Sequence, residues 1–235
     1  MINLKKPLNT SILLSTLVLS ACGGSDSTSA SNMKTYKVTI SNVTANQPLS
    51  PATLVIHKSG YQLFQAGHKA SVALEKLAEG GSNTELLEQA NKNNAVLAKA
   101  SGTGIIPPGS SESIELSVNN SADFMLSVAT MLVNTNDAFA GKTTTKIANL
   151  SKGASLNMHI PIWDSGTEAN SEAANTIPGP AGGGEGFNKN REDDVNFIAI
   201  HQGVVTHADG FMTSALDESH RFTNPGAMLR IERVK

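Results

Sequence analysis

The sequence of 235 residues contains one cysteine, Cys22, which excludes an internal disulfide framework and any zinc site built on several thiolates. Aromatic residues amount to 4%, too few for a stacking platform of the kind that holds single-stranded nucleic acid. Positive charge is not in excess either. Eighteen basic against twenty acidic side chains give a formal charge of −2, so the basic field that nucleic-acid binding requires is missing, and nucleic acid is excluded as a partner. The chain also lacks an HExxH pair, a Gly-x-Ser-x-Gly elbow and a Lys-Ser/Thr after the glycine run Gly182-Gly183-Gly184. These absences argue against an enzyme. What is present is 39% apolar content, enough to bury a substantial core in one large domain or two small ones.

The apolar run Ser11 to Leu19 follows Lys5 and Lys6 and is about as long as a secretory h-region, well short of the roughly 20 residues of a membrane-spanning helix. Residues 1–21 are therefore expected to be a signal peptide. Leu19-Ser20-Ala21-Cys22-Gly23 resembles the lipobox of bacterial lipoproteins, which implies cleavage before Cys22 and acylation of that residue. Each buried methylene is worth about 0.8 kcal/mol, so several acyl chains hold a protein firmly to a bilayer. Gly23 stands where an aspartate would signal inner-membrane retention, so the resemblance implies an outer-membrane lipoprotein facing the periplasm or the cell surface. Residues 22–34 are small and polar and are expected to serve as a flexible tether after the lipid.

From residue 35 onward the pattern is that of a folded domain. Tyr36, Val38 and Ile40 alternate with Lys37 and Thr39, the period of a strand with one buried face. Thr53 to His57 reads as a second strand. Leucines at helical spacing through KASVALEKLAE and TELLEQANKNNAVLAKA, with Gly80-Gly81 between, predict two helices. Strands are then expected at 113–118, 124–133, 143–148, 156–160, 195–201 and 228–234, and residues 163–193 form a connection too long to be ordinary. About eight strands with a two-helix excursion predict a mainly β fold, an antiparallel β-sandwich over residues 35–235.

The segment Asp164-Ser165-Gly166-Thr167-Glu168-Ala169-Asn170 sets hard oxygen donors around a glycine, as a calcium loop does, although an exposed polar loop would look the same. A second segment, Asn134-Thr135-Asn136-Asp137-Ala138-Phe139-Ala140-Gly141, ends an apolar run in polar turn residues with one acid. His159, His201, His207 and His220 have no cysteine partner and read as structural or surface residues; Asp209 and Asp217 read as solvated turn acids, and the run 182–184 as a flexible loop.

With Leu49-Ser50-Pro51, Gly67-His68-Lys69-Ala70-Ser71 and Asn224-Pro225, these segments make the chain resemble a bacterial spondin-domain protein. The resemblance spans about residues 35–235. More distantly it reaches the N-terminal domain of F-spondin and mindin, a β-sandwich carrying one Ca2+. It implies that Asp137, Asp164 and Glu168 are the calcium ligands, with Glu168 standing where the family has aspartate. It also implies a noncatalytic binding or adhesion module with an extracellular protein or glycan ligand. The alternatives are an envelope hydrolase or carbohydrate-active enzyme using these acids and a purely structural envelope protein.

Overall fold

The computed structural model describes residues 32–119, 123–189 and 195–235. The expected signal peptide, Cys22 and most of the expected tether fall outside the described residues. Ten strands and two helices follow in the order β1 (Met33–Asn42), β2 (Thr53–His57), α1 (Val72–Gly80), α2 (Thr84–Asn91), β3 (Val96–Ser101), β4 (Ser111–Asn119), β5 (Met125–Met131), β6 (Ala138–Lys146), β7 (Ser155–Ile160), β8 (Ile162–Asp164), β9 (Ala199–Ile200) and β10 (Ala227–Arg233). The strands form two antiparallel sheets, one in the order β4-β1-β10-β7 and one in the order β3-β2-β5-β6-β8-β9. This is the expected sandwich. Its first strand begins at Met33, so the expected tether gives up its last two residues to β1.

Sequence patterning explains the layers. In β1 and β4 every second side chain is buried, because the four-stranded sheet packs on one face only. Tyr36, Val38 and Ile40 are fully buried there and face Leu54, Ile56, Leu126 and Val128 of the other sheet in a shared core. Each contributes on the order of 1.5–3 kcal/mol of apolar burial. In β2 and β5 every residue is buried, since the helices cover the far side of the six-stranded sheet. Val55, Ala129 and Phe139 on that side meet Leu74, Leu77 and Ala78 of α1 and Leu86 and Ala90 of α2. The Ser71 hydroxyl caps α1 by accepting from Leu74 N at 3.2 Å.

Further expectations need correction: β6 begins at Ala138 rather than at 143, and Ile162–Asp164, at the opening of the expected long connection, is β8. The second helix does not run on through Ala95–Ala100; it stops at Asn91, and Val96–Ser101 is β3, paired with β2. The polar run Asn91-Lys92-Asn93-Asn94 favours turns over helix, and the open edge of β2 offers a ladder of hydrogen bonds to the residues that follow. The strand expected over 195–201 shrinks to Ala199–Ile200. The glycine run is not loose: Gly184 N donates to Ile177 O at 2.8 Å, and a Cβ on Gly184 would lie 2.3 Å from Ala174 O. Gly182 and Gly184 serve close backbone approach, and Gly183 serves a left-handed turn at φ +70°.

Candidate metal centre

The turn between β5 and β6 is polar and wholly buried from Asn134 to Asp137. Thr135 shapes it, its hydroxyl donating to Leu132 O at 2.6 Å and accepting from Ala138 N at 3.1 Å. Asp137 therefore sits at the head of β6, where Ala138 pairs with Asp164 at the end of β8. On the other side of β8, Trp163 pairs with Ile200, and His201 N donates to Ile162 O at 3.2 Å. Asp164 and His201 are thus diagonal neighbours on one face of the sheet. Trp163 points the opposite way and packs on Phe64 with ring centroids 5.6 Å apart, which fixes Asp164 on the sandwich side.

Sheet register thereby gathers three side chains distant in sequence. Asp137, Asp164 and His201 are all buried, and one ligand atom from each lies within 4.8 Å of the others. Asp137 Oδ2 is held by the Ser165 hydroxyl at 2.9 Å, by Thr167 N at 2.9 Å and by Glu168 N at 3.2 Å. Asp137 Oδ1 is buried with no hydrogen-bond partner, and so is His201 Nε2. Asp164 Oδ1 accepts from Gly166 N and Oδ2 from Asn170 Nδ2, both at 2.8 Å. The turn requires glycine at 166, where φ is +70° and a Cβ would meet Phe197 O at 2.5 Å.

Glu168, the third acid expected at the site, is placed differently. Its backbone N–H joins the cup around Asp137, while its Oε1 accepts from Asn136 Nδ2 at 2.8 Å. It is buried beside the cluster but is not one of the three groups whose ligand atoms converge. Asn136 is a hub that the sequence did not single out. Its Nδ2 also donates to Thr176 Oγ1 at 2.8 Å, and its Oδ1 accepts from Glu172 N at 3.1 Å, tying the long connection to the β5–β6 turn.

The electrostatics are those of uncompensated negative charge. Burial, and then the neighbouring Asp164 carboxylate, push the Asp137 carboxyl up to about 7 against the donors on its Oδ2. Burial lowers the His201 imidazole, with Asp164 opposing, which favours the neutral ring. Glu79, in the last turn of α1, is fully buried and raised to about 7 by burial, with Glu168 adding to the rise and the donors Thr167 and Asn188 opposing it. Helical spacing in α1 gives no sign of Glu79, because its environment comes from the distant loop at 167–188. Asp209 and Asp217 stand apart as turn caps, on Thr206 and on Ser219.

Two carboxylates and an imidazole that converge in a buried site, with one carboxylate oxygen and one ring nitrogen unmatched, fit a divalent cation. Opposite charge there would relieve both the desolvation of Asp137 and its repulsion with Asp164. Among proteins of known sequence, the Spondin_N family model matches residues 29–178. No curated protein matches the chain. The matched span holds Asp137, Asp164 and Glu168 but stops short of His201, which enters from the part of the chain that completes both sheets.

Proposed function

This chain belongs to the Spondin_N family, and on that premise we propose that it is a noncatalytic binding module whose loop end is clamped by a divalent cation. Asp137 and Asp164 are the carboxylates that hold the ion, with Glu168 the third acid that the family resemblance implies, and calcium is the ion such hard oxygens suit. The observation that carries this reading is the buried, unmatched Asp137 Oδ1 beside a second carboxylate. When bound, the ion supplies positive charge. The chain's own residues supply the rest: Ser165, Thr167 and Glu168 aim Asp137, and Gly166 and Asn170 aim Asp164.

The function extends to the membrane and to a partner. Cys22 carries the lipid, and the domain hangs from the outer membrane on a tether of about ten residues. There it meets an extracellular protein or glycan. Spondin_N is not a known enzyme family, and the complete burial of Asp137 suits holding an ion better than proton exchange with a substrate.

Thermal unfolding with and without a chelator tests the clamp. An ion that binds only the folded state stabilises by RT ln(1 + [L]/Kd), about 2.7 kcal/mol at a hundredfold excess over Kd. Chelator lowers the Tm of the wild type, and Asp164→Asn shows no such response; equal shifts in both remove Asp164 from the site. Chelator-sensitive, saturable adhesion to glycans, matrix proteins or neighbouring cells is the expected activity. Its absence with an intact clamp leaves a purely structural envelope protein.

A further inference from the structure

We infer that His201 is a nitrogen ligand of the cation held by Asp137 and Asp164, and that the centre therefore prefers a divalent transition ion of the zinc class to calcium. The inference rests on the proposed clamp and departs from it in the ion, because the family resemblance supplies only carboxylates and this chain adds a ring nitrogen.

Geometry is the first argument. The His201 ligand atom lies within 4.8 Å of one from Asp137 and one from Asp164, a spread that modest side-chain rotation closes onto an ion bound at about 2.0–2.2 Å. His201 is 5% exposed, and its Nε2 is buried without a partner, as is Asp137 Oδ1. A buried polar ring atom left unsatisfied is costly, and here it belongs to the same cluster as an unsatisfied carboxylate oxygen, which a third group would satisfy together with it. Phe222 packs against the imidazole with centroids 5.1 Å apart and holds its plane.

Charge is the second argument. Two carboxylates, one neutral imidazole and a dication sum to zero, the balance a buried site needs. A third carboxylate would leave a negative charge uncompensated, and Glu168 instead has its Oε1 turned to Asn136. Donor softness decides the ion. Calcium takes oxygen ligands, whereas imidazole suits zinc, iron and related ions.

Ligation has a consequence at one amide. Gly203 N donates to His201 Nδ1 at 3.0 Å, which leaves the ring proton on Nε2. Coordination through Nε2 releases that proton and takes one up at Nδ1, so the ring stays neutral and Gly203 loses its acceptor.

The test is a titration of the full chain, stripped with chelator, with Zn2+, Mn2+, Co2+ or Ca2+, read by calorimetry and by the visible absorption of Co2+. The wild type is expected to bind one Zn2+ roughly tenfold or more tightly than Ca2+. His201→Asn is expected to lose on the order of 10–100-fold in Zn2+ affinity while keeping its Ca2+ affinity, and to change the Co2+ spectrum. Nitrogen NMR of the wild type, which needs no variant, should show Zn2+ moving the His201 ring nitrogens and the Gly203 amide together. Ca2+ binding as tightly as Zn2+, an unchanged Zn2+ affinity in His201→Asn, or ring nitrogens that Zn2+ leaves in place would each overturn the assignment of His201. If no cation binds the wild type, or if Asp164→Asn binds as well as the wild type, the clamp itself fails.

Discussion

Glu172 offers a test of burial energetics outside the ion's immediate contacts. Its side chain is 1% exposed, and its Oε1 accepts one hydrogen bond, from Val205 N at 3.2 Å. One donor does not replace the water a carboxylate loses, so burial raises the group from 4.5 to about 7. The folded protein therefore keeps this proton over a pH range in which the unfolded chain has released it. An acid with a raised folded pKa contributes its full stability below the unfolded value and loses it as pH climbs through the folded one. Here the window runs from about 4.5 to about 7. At about 1.36 kcal/mol per unit, the loss across it is at most about 3 kcal/mol. Glu172→Gln retains an acceptor for Val205 N and cannot ionise. Urea unfolding at intervals from pH 4.5 to 8, with saturating cation so that the acids at the metal centre are held constant, should show the variant gaining on the wild type by that amount as pH rises. Two curves that stay parallel would refute the claim that this carboxylate is ionised at a cost inside the fold.

Other outcomes follow from single contacts. Gly166→Ala places a Cβ 2.5 Å from Phe197 O at a φ of +70° and should cost about 2 kcal/mol or more in urea unfolding, with weaker cation binding besides. Asn136→Ala removes the donor to Glu168 Oε1 and Thr176 Oγ1 and the acceptor of Glu172 N, so amide exchange should accelerate selectively over 168–176. Uniform acceleration over the whole domain would instead make Asn136 a global stabiliser.

Much of the fold could be read in one dimension because its elements announce themselves locally. The alternation at Tyr36, Val38 and Ile40 is a property of one strand against one core, and the leucines of α1 with Ser71 before them need no distant information. β3 was hidden because Val96–Ser101 carries alanines and a leucine that suit a helix as well as a strand, and only the edge of β2 decides between them. The start of β6 at Ala138 was hidden for the same reason, since the polar turn before it is buried by contacts from the 165–184 segment rather than by its own composition. Asp164 and Asp137 stand out through the family resemblance of the segments around them, since the Asp-x-Gly turn and the polar end of a strand fit an exposed loop equally well. His201 does not, because its place depends on β9 pairing with β8 across a connection of more than thirty residues.

That connection shows why a buried charged centre suits this fold. Between Asp164 and Gly184 the chain offers little to a hydrophobic core, with Ile177 as its one large aliphatic side chain, and the only cysteine of the sequence, Cys22, is not part of this segment. Apolar burial and disulfides are both denied to it. It is held instead by amides and hydroxyls converging on the β5–β6 turn: Gly179 N on Val133 O at 2.8 Å, Ala181 N on Asn134 Oδ1 at 3.0 Å, Asn136 on Glu168 and Thr176, and Asp137 under the N–H groups of Thr167 and Glu168. Such a network stabilises only when every member is satisfied, and one unmatched carboxylate oxygen at its centre undoes part of what the hydrogen bonds contribute. A cation at that point therefore acts on the whole connection, and its removal should loosen residues 165–184 before it affects β1, β4 or β10, whose packing is apolar and lies in the other sheet.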